Sequence, residues 1–170
     1  MLKNRAYLIN NLSFVYRMII ASAPLLEFAM DHSGGDLWAY YEKHLDEERG
    51  HDEMLRNDLY RLGVPEISRN HGAAALAGSQ YYLIAHEHPA LLLGYMSVLE
   101  RAPLPIDTID ELEQFYGVEF NAMRHHAQHD PEHIKEIDKQ IAMQSDHLQA
   151  LIRWNASCTS DFINSMAKGF

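Results

Sequence analysis

The stretch His126-Ala-Gln-His-Asp130-Pro-Glu-His133 sets His126, Asp130 and His133 at offsets of 0, 4 and 7. On an α-helix those offsets return to nearly the same angle, so the three side chains form one stripe about two turns long. An earlier segment, His44-Leu-Asp-Glu-Glu48-Arg-Gly-His51, repeats the order histidine, carboxylate, histidine at the same offsets. Imidazole with carboxylate is the ligand set of Fe, Mn and Zn sites, whereas Ca and Mg prefer oxygen alone. Two such stripes on two helices are placed to close a metal site between them. The rest of the chain reads as their scaffold.

Around the earlier triplet, helical spacing predicts one helix over about residues 37–62. Ser33-Gly34-Gly35 precedes it as a loop, Asp36 is its expected N-cap, and Gly63 with Pro65 stops it. Its inward stripe reads Leu37, Tyr41, His44, Glu48, His51, Leu55 and Leu62. Apolar residues at both ends imply that the polar middle is also inside, and a buried carboxylate must be paired or ligating. Glu47, about 100° round from Glu48, is expected to face solvent.

Upstream, Leu8, Leu12, Val15 and Ile19 mark a first helix that Pro24 kinks or restarts before it ends near residue 30. Downstream, residues 72–100 are almost free of charge and apolar on all sides, as in a helix at the centre of a bundle. His88-Pro89 divides this run into helices over about 73–87 and 89–102. Glu100 shares the apolar stripe of Leu93 and Met96. Pro103 and Pro105 end the segment, and Asp107 caps the next helix, expected over about 109–129. Pro131 admits two readings: Asp130 is an N-cap with Pro131 at the first helical position, or the helix continues with a kink. A last helix is expected over about 132–166, with a bend near Asn155. No strand pattern, linker or low-complexity run interrupts this order, so the fold class is all-α in a single domain over residues 1–170.

Composition narrows the function. Lys+Arg 14 against Asp+Glu 24 gives a net charge of -10, which argues against nucleic acid because phosphate neutralisation needs clustered Lys and Arg. A single cysteine, Cys158, forms no internal disulfide, which suits a reducing compartment. Asn10, Asn11 and Arg17 break up the N-terminal apolar run and, with Glu27, stand against a signal peptide or a membrane span. A cytoplasmic protein is expected.

The carboxylates and histidines follow the arithmetic of four-helix di-iron sites, in which two helices each give a carboxylate-x-x-His pair and two others a single Glu. Glu48-x-x-His51 and Asp130-x-x-His133 are the pairs; Glu100, with Glu27 as a further candidate, supplies the singles. Core histidines satisfied by carboxylates would explain one triplet as readily as a metal does. The second triplet and the apolar-embedded Glu100 favour the metal. His32, His71, His125 and His129 are expected to be solvated, and His147 to be a bystander.

These features together resemble the haem-oxygenase-like fold of the TenA and PqqC group. They are a kinked first helix, a His-rich second helix, split apolar central helices ending in Gly94-Tyr95-Met96-Ser97-Val98-Leu99-Glu100, and then the His-x3-Asp-x2-His triplet. Within that group the chain is most similar to the haem-oxygenase-like di-iron oxidases, also called iron-containing redox enzymes, from about residue 5 to 165. The resemblance implies a ligand set of His51, Glu100, His126, Asp130 and His133 around one or two iron ions, with Mn as the alternative. It further implies a Glu at position 44, where this chain carries His44. Glu48 then supplies the missing carboxylate, or His44 makes a nitrogen-richer site, or one metal position is weakened. The implied activity is O₂-dependent oxidation of a small amine, amino acid or fatty acid by a protein that is often a homodimer. The competing classes are a metal-free TenA-like enzyme of thiamin salvage, a PqqC-like cofactor-binding protein, and a non-catalytic helical binding module.

Overall fold

A computed structural model describes residues 1–167. Among them the regular elements are all helical. Helix α1 (Arg5–Asp31) starts where the Asn4 side chain accepts the Tyr7 N–H, satisfying one of the free donors of a helix start. It passes through Pro24 without ending. By length and composition alone α1 would qualify to cross a membrane, its most apolar 18-residue window averaging a hydropathy of 1.4, so its polar interruptions do not by themselves dispose of a span. In the structure it lies against three other helices, α2 (Gly35–Glu48), α3 (His51–Arg61) and α4 (His71–His86).

The helix expected over residues 37–62 is two helices. Arg49 is extended and Gly50 is left-handed at φ 89°, a conformation glycine adopts without steric cost. The stripe survives the break: Leu37, Tyr41, His44, Glu48, His51, Leu55 and Leu62 are all buried. Asp36 is not the cap of α2; Gly34 holds that position and Asp36 lies in the first turn, where its charge still opposes the helix dipole. At the far end, Gly63 N–H bonds Tyr60 O and Val64 N–H bonds Leu59 O, the paired closure of a glycine-terminated helix.

The apolar run forms α4, a 3-10 turn at Pro89–Leu91 capped by His88, and α5 (Leu92–Leu99), with Glu100 as the C-cap. Gly94 lets α5 press on α8 (Asp146–Ala167), because a Cβ there would stand 2.3 Å from Ile152 O. The remaining boundaries differ from expectation. Helix α6 (Ile106–Tyr116) ends at left-handed Gly117, and α7 (Asn121–Ala142) continues through Pro131, the second of the two readings. The chain turns instead at residues 143–145, where Ser145 Oγ accepts from Leu148 N–H. No break falls at Asn155: it is buried within the continuous α8, and its amide donates to Gln80 Oε1 and Leu91 O at 2.8 Å each.

Among the described residues, two apolar clusters hold the bundle. One gathers α2, α4, α5 and the second half of α1; the other gathers α3, α6 and the first half of α1. Asp58 of α3 fastens α7. Its carboxylate, fully buried, accepts from the N–H groups of Asn121 and Ala122 at 3.1 and 2.8 Å and pairs with Arg61 at 2.9 Å. That anchor fixes the start of α7 against α3.

Candidate metal centre

Four buried side chains from three elements converge: His44 and Glu48 of α2, Glu100 at the end of α5, and His133 of α7. One ligand atom from each lies within 4.8 Å of the others. Their nearest approaches run through the carboxylates. His133 Nδ1–H donates to Glu100 Oε2 at 3.2 Å, and His44 Nε2 stands 3.6 Å from Glu100 Oε1 and 3.9 Å from Glu48 Oε1. A void of about 20 Å³ touches His44, Glu48 and Glu100, enough room for one water-sized occupant.

His51, His126 and Asp130 adjoin this group rather than joining it. His51 Nδ1 is 3.3 Å from Glu48 Oε1 without hydrogen-bond alignment, and the rings of His51 and His126 pack edge to face at 4.9 Å. His126 Nδ1–H donates to Asp130 Oδ1 at 3.0 Å, which leaves its buried Nε2 without a partner. Glu48 thus lies between the His44, Glu100 and His133 side and the His51 and His126 side.

Three expectations change. Glu27 is exposed and takes no part in the centre. Glu47 is not turned out to solvent, since its Oε2 is buried beside His44 and His133. His125 is half-buried, its ring 4.7 Å from that of His51. His32, His71 and His129 are exposed, as expected, and His147 is exposed as well. Counting angles about one helix finds the residues that face one neighbour. Glu47 escapes it because α7 approaches α2 from the flank.

The electrostatics follow from burial and close pairing. Burial works against the Glu100 carboxylate, but His133 and His44 outweigh it and hold its pKa well below the usual range. Glu48 is also lowered, with burial overcome by His51 and His44. The hydrogen bond to Glu100 raises His133. Burial pulls His126 down, but Asp130 more than compensates and raises it. Asp130 is raised by burial and by the nearby Glu100 charge. His125 is pushed down to about 4 by burial and by the neighbouring histidines. The Tyr40 and Tyr95 hydroxyls, buried without hydrogen-bond partners, are raised chiefly by burial. They stay neutral beside the carboxylates.

No protein-family model, curated protein or solved structure matches this chain. The site therefore stands on its own geometry.

That geometry fits a transition metal. Two imidazoles and two carboxylates form a mixed nitrogen and oxygen donor set suited to Fe, Mn or Zn. The donors are already gathered on helices, and the unpartnered His51 Nδ1 and His126 Nε2 are what nitrogen donors look like without an ion.

A larger cavity of about 750 Å³ reaches the centre from the side of α1 and α8. Leu12, Val15, Met18 and Ile19 of α1 and Ile163 of α8 line it, and Glu48, Glu100, His126 and Asp130 are among its polar lining, with Arg101 and Asn164.

Proposed function

We propose that this protein is a metal-dependent oxidoreductase of the haem-oxygenase-like di-iron oxidase type, with iron as the working metal. The observation that carries the reading is the buried His44, Glu48, Glu100 and His133 group, two members of which, Glu48 and Glu100, also line a large and mostly apolar cavity. His44, Glu48, Glu100 and His133 would hold the first ion. His51 and His126 would hold a second, with Glu48 as the shared carboxylate. When bound, iron supplies a redox centre able to react with O₂.

The protein's own residues do the rest. The carboxylates offset the charge of the ions, and Asp130 orients His126 through its Nδ1–H, leaving Nε2 free to ligate. The apolar side chains of α1, Leu12, Val15, Met18 and Ile19, would lower the polarity around the reacting end. A cavity of this size, in the range of small-molecule sites, suits a substrate with an extended apolar body better than a small polar amino acid. Within the implied classes that favours a fatty acid or a lipophilic amine.

Ferrous-loaded protein mixed with such compounds under air tests the reading. Compound-dependent O₂ uptake, abolished by chelation and by His133→Ala, is expected. O₂ uptake that ignores every lipophilic amine and acid offered, from protein with full iron, would count against an oxidase. A metal-free ligand-binding protein is the second reading, favoured by the large cavity. It predicts tight binding of an apolar organic ligand by protein stripped of metal.

A further inference from the structure

The centre contains one more carboxylate than the ligand pattern supplies. Glu47 Oε2 lies 3.8 Å from His44 Nδ1 and 3.7 Å from His133 Nε2. Both Glu47 Oε2 and His44 Nδ1 are buried without hydrogen-bond partners. The opposite nitrogens of the two rings, His44 Nε2 and His133 Nδ1, face Glu100 at 3.6 and 3.2 Å. Each imidazole therefore stands between Glu100 on its inner side and Glu47 on its outer side. The other oxygen of Glu47, Oε1, lies 3.2 Å from Lys43 Nζ, and Lys43 also pairs with Glu136 of α7. The glutamate is thus held from the surface side while its free oxygen points inward.

A histidine that ligates a metal through one nitrogen carries its proton on the other, and that N–H is ordinarily given to a carboxylate or carbonyl, which fixes tautomer and ring orientation. A single carboxylate oxygen has the lone pairs to accept two such bonds. We propose that Glu47 is the positioning residue of the centre. Its Oε2 accepts the outer N–H of both His44 and His133, presenting Nε2 of His44 and Nδ1 of His133 to the ion. This rests on the metal reading above. The two contacts, at 3.8 and 3.7 Å, stand just beyond hydrogen-bond length.

Full-length metal-free protein titrated with Co(II) alone tests this, with affinity and the visible Co(II) bands as readouts for the natural chain, Glu47→Ala and Glu47→Gln. Removing a partner of this kind weakens metal binding by about 10–100-fold. Glu47→Ala is expected to show that loss with shifted bands, while the melting temperature of its metal-free form stays near that of the natural protein. Glu47→Gln keeps one acceptor oxygen and is expected to lose less, by about threefold or more on the same basis. Unchanged affinity and bands in both variants would overturn the proposal while leaving the metal centre standing. A complete loss of Co(II) binding in Glu47→Gln would overturn it in favour of Glu47 as a direct ligand. If Glu47→Ala does not fold, Glu47→Gln decides by the same criteria. Failure of the natural protein itself to bind Co(II) would sink the metal reading and this proposal together.

Discussion

His133 Nδ1–H donates to Glu100 Oε2 across 3.2 Å, tying α7 to the end of α5 through two buried side chains that lie 33 positions apart in the chain. The contact explains why a carboxylate is tolerated at the end of the most apolar segment. Without a partner its desolvation would be prohibitive. Glu100→Gln keeps the shape and removes the charge. If Glu100 is a ligand, this change is expected to abolish binding of at least one ion and to cost the metal-free protein less than about 2 kcal/mol, the scale of a hydrogen bond to a charged group. Urea unfolding of both metal-free proteins checks it. A loss of about 3–5 kcal/mol, as for a broken buried ion pair, would mark the contact as structural.

The two sides of the centre are separable by mutation. His44→Ala removes a member of the four-residue group, whereas His126→Ala removes only the outlying nitrogen. We expect His44→Ala to lose the tighter ion and His126→Ala to retain it. Metal titration of both variants under identical iron loading checks the order. Equal losses would mean that the two sides fill as one unit.

Asp58 is expected to matter for stability and not for metal. Asp58→Ala strips both acceptors from the first N–H groups of α7 and leaves Arg61 without its nearest carboxylate. A loss of about 2–4 kcal/mol is expected, a lost helix cap plus unsatisfied buried donors. Thermal unfolding measures it, and Co(II) affinity per folded molecule should stay within about threefold of natural, the tolerance for a residue outside the ligand set.

The histidine and carboxylate patterning made much of this visible in advance. Leu37, Tyr41, His44, Glu48, His51, Leu55 and Leu62 share one buried face because helical angle alone determines it, and the break at Gly50 shifts the register too little to turn His51 outward. The break itself was not legible, because a glycine inside a periodic run is compatible with an unbroken helix. At Pro131 the sequence admits a restart or a continuing helix; the helix continues, and the turn comes at residues 143–145, where no proline or glycine stands to signal it. Asp130 is buried on the inward face, as its spacing predicts, and there it meets the neighbouring His126, a contact that spacing does not encode.

The His133–Glu100 contact also sets a pH dependence in the metal-free protein. Glu100 raises the His133 pKa. The stability His133 contributes is therefore fully present below its unfolded value of about 6.5 and is lost as pH rises through the higher folded value. Glu100, lowered in spite of its burial, contributes stability above its unfolded value of about 4.3 that is lost as pH falls through the folded one. The two overlap between about pH 4.5 and 6.5. Natural protein is expected to melt above His133→Gln by its widest margin in that window, with the margin shrinking by pH 8. A margin that grows with pH would contradict the assigned direction for His133.

Metal content tests the central claim most directly. Full-length protein is loaded anaerobically with ferrous iron, desalted and subjected to elemental analysis beside a chelated control. Four preassembled buried donors predict at least one tightly held equivalent that chelation removes, and the neighbouring His51 and His126 allow it to rise towards two. Less than about a tenth of an equivalent, against the stoichiometry expected of a preformed ligand cage, would contradict the account. His44, Glu48, Glu100 and His133 would then be a buried ion-pair network and nothing more.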